Sequence, residues 1–416
     1  FKDGMIDAYQ TEAGVDTATS TNEAYDSSGD YYSGLTAVPS NATGGTITTD
    51  GSDTIHTFST ANNGTATNNF VTPSSNSNVR WLLVAGGGGG GHGRGGGGGA
   101  GGYVAATGQT ISTGTHAVVA GAGGANGASF GDNGSNGANS TIGSLVTATG
   151  GGGGGGYKNP TSTGSNGGSG GGAGGSEGLS GYGGTGSQGN NGGTTNNQNR
   201  GGGGGGADAV GGNATSPSSG TGGNGAANDI SGSSVTYAGG GGGGANGVNG
   251  APGGSGGGGA GGGDGAGTGN NGTAGLGGGA GGGSSGGIGG NGVVIIRYAT
   301  NSWSDNTYNN MTLVSNAQTA QAAPVEGRLM LYEEASTGTI TLNTDLKGYV
   351  SRDNGTTYTQ VTLADDTTYE TGKRLVSGSV DISGQPSGTN IKYKIETLNQ
   401  SATKVCRIHG ASLLWA

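Results

Sequence analysis

The sequence has little charge, a single cysteine and no long apolar stretch. Only 10% of the 416 residues are charged, well below the share in an ordinary globular domain. Cys406 is the one cysteine, so the chain cannot form an internal disulfide framework. No run of about 18 apolar residues occurs, which predicts that the chain has no membrane span. The lack of a methionine or signal-like segment at Phe1 indicates a processed or partial chain.

Basic residues are scarce as well. The chain has 15 Lys and Arg against 25 Asp and Glu, which gives a formal net charge of −10. Between Ala85 and Gly292 the cationic residues are Arg94, Lys158 and Arg200. Because proteins bind nucleic acids largely by placing clustered cations on the phosphates, the sequence predicts no nucleic-acid partner.

Glycine is the residue that the sequence has in excess. There are 110 glycines, and most of them lie between Ala85 and Gly292. Glycine recurs at every third position from Gly244 to Gly265, a regularity that a flexible linker does not require. A three-residue period is that of a left-handed extended helix without internal hydrogen bonds, whose amides must bond to neighbouring segments. The pattern therefore predicts an ordered bundle of polyglycine II helices.

One stretch of this region matches a dinucleotide-binding motif. Gly91, Gly93 and Gly96 have the spacing G-x-G-x-x-G and follow an apolar run at residues 81–85. A phosphate site of this type needs the N-terminus of a helix, but the glycines that follow Gly96 cannot hold a helix in water. The sequence therefore predicts no cofactor.

Strand-like runs flank the glycine region and indicate the fold class. Residues 79–84 (VRWLLV) precede it and residues 292–298 (GVVIIRY) close it, and both runs are typical of buried strands. We therefore predict an all-β fold in which a β-sandwich, residues 43–300, carries the polyglycine II bundle as insertions.

The two flanks of the chain have more ordinary compositions. Residues 301–416 alternate polar and apolar side chains in short runs, which predicts a C-terminal β-sandwich domain. Asp353-Asn354-Gly355 is typical of a tight turn between two of its strands. Residues 1–42 are polar with little periodicity and predict an extended N-terminal connector.

The order of these motifs resembles a known family. Gly44-Thr-Ile-Thr-Thr, Trp81-Leu-Leu-Val-Ala with its six following glycines, and Gly292-Val-Val-Ile-Ile-Arg-Tyr are similar to the glycine-rich domain of phage tail-fibre and adhesin-type virion proteins. The plan also resembles the glycine-rich region of the anaplastic lymphoma kinase receptor, where a tumour-necrosis-factor-like sandwich carries polyglycine helices. The resemblance covers about residues 43–300. It implies a tumour-necrosis-factor-like or jelly-roll sandwich and a role in a virion.

The sequence offers little support for catalysis. The four histidines are far apart and lack metal-ligand spacing; they are His56, His92, His116 and His409. The adjacent pairs Glu333-Glu334 and Asp365-Asp366 are typical of solvated turns or rims rather than of a facing acid and base. We therefore predict that the protein is not an enzyme and has no catalytic residue and no metal site.

We expect binding at the loops between the glycine runs, because loops on a rigid scaffold commonly carry function. These loops contain many Asn and Ser with a few Lys, Arg and Tyr, a mixture suited to sugar hydroxyls or outer-membrane loops. The candidate receptor contacts are Tyr157, Lys158, Asn159, Asn197, Arg200 and Tyr237. A plainer interpretation, in which these loops are only solvated turns, stays open.

The leading hypothesis is a virion structural protein, a phage tail fibre or host-binding adhesin, located on the virion or outside the cell. Its expected partners are other virion proteins and a host cell-surface glycan or outer-membrane protein. An ice- or surface-binding extracellular protein and a purely decorative capsid or tail protein are the alternatives. Jelly-roll modules often form trimers, whereas a glycine bundle that satisfies its own backbone is complete as a monomer, so a homotrimer and a monomer both stay open.

Overall fold

The protein is described by a computed structural model, which covers residues 3–60, 67–157, 162–176, 180–196, 199–246, 248–263 and 267–416. Within these ranges the regular structure consists of β-strands in several antiparallel sheets, with one short 3-10 helix at Glu12–Gly14. The predicted all-β class is therefore confirmed.

The strands of the described residues are short and numerous. In chain order they are β1 (Asp3–Asp7), β2 (Ala24–Asp26), β3 (Tyr31–Ser33), β4 (Leu35–Ser40), β5 (Thr46–Asp50), β6 (Asp53–Ser59), β7 (Thr67–Thr72), β8 (Asn76–Val84), β9 (Tyr103–Ile111), β10 (Gly114–Val119), β11 (Ser140–Ile142), β12 (Val146–Ala148), β13 (Ala226–Asn228), β14 (Val235–Tyr237), β15 (Val293–Ala299), β16 (Trp303–Tyr308), β17 (Thr312–Val314), β18 (Gln318–Thr319), β19 (Glu326–Thr337), β20 (Leu346–Ser351), β21 (Thr359–Val361), β22 (Ala364–Glu370), β23 (Lys373–Asp381), β24 (Asn390–Thr397) and β25 (Val405–Trp415).

The chain folds into two compact units. Pro39–Ser304 form one unit, and Phe1–Val38 together with Asp305–Ala416 form the other. A two-stranded sheet pairs β4 with β16. We call the first the glycine unit and the second the terminal unit.

In the glycine unit, side chains from two antiparallel sheets form an apolar core. One sheet has the strand order β5-β6-β15-β8-β9, and the other has the order β12-β11-β10-β7. The strands that flank the glycine region are direct neighbours, because Val84 of β8 pairs with Val293 of β15. The core contains Phe58, Phe70, Trp81, Leu83, Val118, Ile142, Val294 and Trp303.

The opposite faces of β8 and β15 are buried too. Leu82 and Ile295 belong to a second apolar cluster, which also contains Ile230 and Tyr237 from the segment that includes the two-stranded sheet β13-β14. Burial on both faces explains why these two strands have continuous apolar sequences instead of alternating ones.

The glycine segments between these strands bond to one another through their main chains. In residues 95–102, successive N–H groups donate to three neighbouring segments in turn, at N···O distances of 2.7–3.4 Å. Residues 95, 98 and 101 donate to the carbonyls of Gly283, Ala280 and Gly277; residues 96, 99 and 102 donate to Gly155, Gly152 and Thr149; residues 97 and 100 donate to Gly202 and Gly205. Each neighbouring segment therefore receives a bond from every third residue.

The carbonyls of the same segment repeat the pattern towards three further neighbours. Those of residues 95 and 98 accept from Gly244 and Gly241, those of 96 and 99 accept from Gly91 and Gly88, and those of 97 and 100 accept from Gly172 and Ser169. Residues 95–102 are therefore surrounded by six other segments. Such close approach requires glycine: a Cβ atom on Gly98 would lie 2.1 Å from the carbonyl oxygen of Gly88.

Asparagine side chains complete the hydrogen bonding at the surface of the glycine unit. The Oδ1 atoms of Asn133, Asn136 and Asn139 accept from the main-chain N–H groups of Gly156, Gly153 and Gly150, each at 2.9 Å. These asparagines are exposed and also follow one another at every third position. Their side-chain amides thus take the place that a neighbouring peptide group has elsewhere in the unit.

In the terminal unit, an apolar core receives side chains from two sheets. The larger sheet has the order β2-β3-β25-β19-β23-β22, with β1 also pairing with β25. The smaller has the order β17-β24-β20-β21, with β18 also pairing with β24. The core includes Leu329, Leu331, Val350, Val376, Ile391, Tyr393, Ile395 and Leu413.

The N-terminal residues are part of the terminal unit, which differs from the extended connector expected for residues 1–42. Strand β1 pairs with the last strand of the chain, where Asp3 faces Trp415. Tyr9 and Tyr32 are completely buried, and the Tyr9 hydroxyl lies 2.9 Å from that of Tyr393. Two aromatic rings from this largely polar stretch are part of the core of the terminal unit, and strands of three to five residues are too short to show a period.

Glu333 and Glu334 lie in the long strand β19, which corrects the prediction that this pair occupies a solvated turn or rim. The Glu333 side chain is fully buried and its Oε2 lies 2.7 Å from Nε of Arg374. Burial raises the pKa of Glu333 above its ordinary value, although the guanidinium of Arg374 acts in the opposite direction. The carboxyl is retained in the core by this ion pair.

Candidate functional site

Two turns of the glycine unit and the end of a further glycine segment, at Tyr157, meet at the end of the glycine segments that lies away from the strands. Residues 85–91 leave β8 and turn at His92, and residues 95–102 return to β9, as the hydrogen bond from Gly91 N to Gly96 O shows. His92 N donates to Asp132 O, and Tyr157 N donates to His92 O, each at 3.0 Å. We call this meeting point the distal end.

The turn at residues 92–94 depends on an unusual backbone. Gly93 has φ of 74° and Arg94 has φ of 59°, both in the left-handed region. A Cβ atom on Gly93 would lie only 2.8 Å from the ring of Phe130. Glycine at this position therefore permits both the turn and the packing of Phe130 against it.

Side chains from the two turns and from the segment that ends at Tyr157 form one cluster of rings with a guanidinium, which we call the distal cluster: His92, Arg94, Phe130 and Tyr157. The ring of Phe130 lies 6.3 Å from that of His92 and 5.4 Å from that of Tyr157. The guanidinium of Arg94 lies 4.8 Å from the centre of the Tyr157 ring, within cation–π range. Phe130 is 68% exposed, which is unusual for a phenylalanine in contact with two other rings.

A small cavity adjoins the distal cluster. It has a volume of about 160 Å³ and is lined by Gly93, Arg94, Phe130, Ala245, Asn246 and Ser284. This is below the several hundred Å³ that is usual for drug-sized ligands, so the cavity suits one small group, such as a single sugar ring. An apolar ring beside a guanidinium, an amide and a hydroxyl can pack against the face of such a group and bond to its polar edge.

The six predicted contact residues do not all lie at the distal end. Tyr157 is a member of the distal cluster. Arg200 forms an isolated β-bridge with Ala245, a residue that lines the cavity, so it too belongs to the distal end. Lys158, Asn159 and Asn197 lie outside the described residues.

Tyr237 is not part of the distal end. It lies in β14, is only 4% exposed and belongs to the apolar cluster that contains Leu82 and Ile295. Burial raises the pKa of its phenol. The prediction that Tyr237 belongs to an exposed contact loop is therefore corrected, because its ring covers the apolar face of β8 and β15.

Two members of the distal cluster, Arg94 and Phe130, are not among the residues that the sequence singles out as contacts. A signal exists for both of them. Phe130 is the one phenylalanine between residues 85 and 292, and Arg94 is one of three cations there. A large apolar or charged side chain in a region built from glycine has no place inside the bundle, so it must lie at a turn or on the outer surface of the bundle.

Two other kinds of site, a membrane span and a metal centre, are not found among the described residues. In the part of the chain that the structure describes, no helix has the length and apolar character needed to cross a lipid bilayer. Across the described ranges, no three His, Cys, Asp or Glu side chains lie close enough together to hold a metal ion.

Comparison with protein-family models identifies a family for the glycine unit. A family model described as a glycine-rich domain matches residues 60–299, more than half of the chain. The match covers most of the glycine unit, including the distal cluster. No curated protein matches the chain.

Proposed function

The chain belongs to the glycine-rich domain family, and we propose that it is a host-binding adhesin of a virion, in which a rigid glycine bundle holds a binding cluster at its distal end. The observation that carries this proposal is the distal cluster itself. Phe130 is held by a glycine turn and two other rings, yet most of its surface faces solvent. An apolar ring maintained in that position is typical of a recognition surface.

We infer that the glycine segments are polyglycine II helices. A helix of this type has three residues per turn, so successive N–H groups point about 120° apart and towards different neighbours. In residues 95–102 the N–H groups donate to three neighbouring segments and the carbonyls accept from three others, and each neighbour bonds to every third residue. This pattern supports the polyglycine II geometry. In the same proposal the two sheets of the glycine unit form a tumour-necrosis-factor-like or jelly-roll sandwich, and those of the terminal unit form a second sandwich.

The bundle suits an adhesin because it fixes the distal turns. Each turn connects segments that are bonded to several neighbours, so a turn cannot move without breaking main-chain hydrogen bonds in the lattice. Pre-organised binding groups lose little conformational entropy when a ligand binds. The assignment to a virion, on its surface and beside other virion proteins, follows from the resemblance of the strand and glycine motifs to tail-fibre domains. The function proposed is binding rather than catalysis.

The proposed ligand of the distal cluster is a host cell-surface glycan, with an outer-membrane protein loop as the second possibility. Fluorescently labelled protein is first used to find a binding strain among a panel of bacteria. The strain is then challenged with wild type, with Phe130→Ser and with Tyr182→Ser. Tyr182 is a matched control, because it is 60% exposed in the same glycine region.

We expect Phe130→Ser to reduce cell binding about tenfold and Tyr182→Ser to leave it unchanged, since loss of an anchoring aromatic side chain commonly costs more than 1 kcal/mol. Excess wild-type protein should also reduce adsorption of virus particles to these cells. Equal cell binding by wild type and Phe130→Ser would show that the distal cluster is not part of the binding site. Undiminished adsorption in excess protein would contradict the adhesin function. Removal of the glycan by enzymatic digestion of the cells distinguishes a sugar from a protein receptor.

A further inference from the structure

The larger sheet of the terminal unit carries a second group of rings on one face. Tyr31, His409, Tyr332 and Tyr369 belong to β3, β25, β19 and β22, four strands of that sheet. The ring centres of consecutive members are 5.4, 5.2 and 5.7 Å apart. The rings therefore form a continuous row across the strands, and Tyr369 at its end is 73% exposed.

A β-bulge places His409 in this row. Between β19 and β25 the register shifts, so that Tyr332 faces Gly410 while Glu333 faces Ile408. His409 is the extra residue between them. Bulges commonly redirect a side chain next to a functional site. Here the bulge brings the His409 imidazole between Tyr31 and Tyr332, with Nε2 at 2.7 Å from Oε2 of Glu334.

Charged groups border the row of rings. Oε1 of Glu334 lies 3.4 Å from Nη1 of Arg407, and the guanidinium of Arg407 lies 4.4 Å from the centre of the Tyr31 ring. Burial alone would raise the pKa of Glu334, but the hydrogen bond with His409 and the nearby charge of Arg407 lower it below its ordinary value. Glu334 therefore offers carboxylate oxygens, and Arg407 offers N–H donors, side by side.

An open groove continues from the rings along the sheet. It has a volume of about 430 Å³, and its lining includes Ile6, Met330, Tyr332, Leu375, His409 and Leu414. This volume is within the usual range for small-ligand sites, about 300–1,000 Å³. The walls are mostly apolar, and the polar side chains in the lining are those of Asp7, His409 and Ser412. His409 also bonds to Glu334 beside the groove.

We propose that this face of the terminal unit is a second binding site, which takes a neutral oligosaccharide. A sugar ring has an apolar C–H face and a polar edge of hydroxyl groups. Tyr332 and Tyr369 provide ring surface for the C–H face. Glu334 accepts hydrogen bonds from adjacent hydroxyls, and Arg407 donates to them. The groove has room for further sugar units. This site is separate from the distal cluster and does not depend on the adhesin function proposed for it.

The charges favour a sugar over a protein partner. The centre of a protein interface is typically depleted of Lys, Glu and Asp, because burial without complete pairing is costly. On this face Glu334 and Arg407 lie next to the rings, and Lys373 faces Glu334 from β23. The hydroxyl groups of a neutral sugar bond to part of a carboxylate or guanidinium group, and water continues to solvate the remainder of that group. The charges of Glu334 and Arg407 are therefore not completely desolvated when a sugar binds.

The test uses the full chain on a printed array of neutral oligosaccharides of glucose, galactose, mannose, rhamnose and N-acetylglucosamine. Wild type is compared with Tyr332→Ala, Tyr369→Ala and Phe130→Ser, and Tyr182→Ala serves as an exposed-tyrosine control. Tyr369→Ala removes an exposed ring and keeps the test valid should Tyr332→Ala disturb the fold, which thermal unfolding monitors. Light scattering measures the oligomeric state of wild type and Met330→Glu.

We expect wild type to bind at least one glycan of the array, and each ring variant to lower the affinity about fivefold or more. Phe130→Ser and Tyr182→Ala should bind that glycan like wild type, which separates this site from the distal cluster. Absence of binding to every glycan on the array would overturn the proposal, as would unchanged affinity in both ring variants. Conversion of an oligomer to a monomer by Met330→Glu would also overturn it, because the face would then be a contact between copies of the chain.

Discussion

The glycine unit and the terminal unit are stabilised by different parts of the chain. In the terminal unit, side chains such as Leu329, Val350 and Tyr393 fill the space between two sheets, and the strands bond through their main chains to neighbours in the same sheet. In the segments 85–91 and 95–102 of the glycine unit, side chains are nearly absent and the main chain bonds to neighbours in several directions. One unit is held by apolar burial, whereas much of the other is held by main-chain contact.

The difference shows what each kind of packing demands from a sequence. A side-chain core accepts many combinations of apolar residues provided that the volume is kept. A main-chain lattice accepts few, because a Cβ atom on most glycines of residues 95–102 would lie within 3 Å of another backbone. Glycine also loses more conformational entropy on folding than other residues. The lattice therefore has to recover that cost through complete hydrogen bonding and close contact of many segments.

The largest effect should come from adding one methyl group inside the lattice. In Gly98→Ala the new Cβ would lie 2.1 Å from the carbonyl oxygen of Gly88, while Gly98 also bonds to Ala280 and Gly241. Relieving the clash requires separation of segments that share many hydrogen bonds. We expect the glycine unit to lose more than about 4 kcal/mol of unfolding free energy, measured by denaturant titration and by amide exchange of residues 85–102.

Gly108→Asn provides the matched control. Gly108 lies in β9 of the same unit with φ of 62°, and a Cβ atom added there would have no other atom within 4 Å. Asparagine tolerates this backbone conformation better than other residues with a side chain. A loss below about 1 kcal/mol is expected. Similar stability of Gly98→Ala and wild type would show that the lattice can expand, and the contrast between the units would disappear.

A large loss of stability, which a second substitution should restore, is expected in the terminal unit. Arg374→Met removes the partner of the fully buried Glu333 carboxylate. Breaking a buried ion pair on one side costs about 3–5 kcal/mol, and we expect a value near the lower end because Arg374 is partly exposed. Denaturant unfolding of the full chain measures the loss.

The double variant Glu333→Leu, Arg374→Met sharpens the comparison with the lattice. Replacing both members of a buried pair by apolar residues is often neutral or stabilising. We therefore expect most of the stability of wild type to return. A double variant as unstable as Arg374→Met would mean that the ion pair is specifically required, so that the terminal unit would tolerate substitution no better than the glycine unit.

The sequence is most informative where its pattern is long and regular. The all-β class follows from the apolar runs predicted at residues 79–84 and 292–298, where β8 and β15 are found. Asn354 and Gly355 both have positive φ, as a tight Asn-Gly turn requires. Strand β19, the longest of the described residues, is not predicted from the sequence, because Glu333 occupies an inward position and interrupts the alternation of Leu329 and Leu331.

The candidate site is predicted less well than the fold. The sequence places binding in the turns of the glycine region, and Tyr157 and Arg200 are found at the distal end. It cannot show which turns meet, because that depends on how many times the chain crosses the bundle before each turn. The contact between Phe130 and Tyr157 joins parts of the chain separated by two glycine segments. Tyr237 illustrates the opposite error, since a tyrosine beside glycine runs can equally well cover an apolar sheet face.

A moderate loss of stability is expected where an asparagine side chain, and not a main-chain carbonyl, accepts the hydrogen bond of a buried glycine N–H group. Asn136→Ala leaves the N–H group of the buried Gly153 without its acceptor. An unsatisfied buried donor costs about 1–3 kcal/mol, and exposure of Asn136 allows water to compensate in part, so we expect about 1 kcal/mol. Asn136→Asp keeps the acceptor and should lose less. Equal losses in the two variants, measured by thermal unfolding, would mean that the bond from Asn136 Nδ2 to Asn166 O contributes instead.

The smallest effect should be a difference in acid sensitivity between the units. In the terminal unit, hydrogen bonds from Lys404 and Asn399 lower the pKa of the buried Asp345 from 3.8 to about 2. A carboxyl with a lowered pKa stabilises the fold above its unfolded value, and this contribution is lost as the pH falls through the folded value. We expect the terminal unit to lose about 1 kcal/mol between pH 4 and pH 2, because Lys404 is partly exposed and solvent screens the pair.

Amide exchange at the two pH values distinguishes the units in a single experiment. Residues 95–102 are bonded through neutral groups, so their protection, corrected for the intrinsic effect of pH on exchange, should stay the same. Protection of β20, which Asp345 directly precedes, should decrease. Lys404→Met should remove most of this pH dependence by returning the pKa of Asp345 towards its ordinary value. If protection of both units decreased equally in acid, the main-chain lattice would depend on ionised groups as much as the side-chain core does.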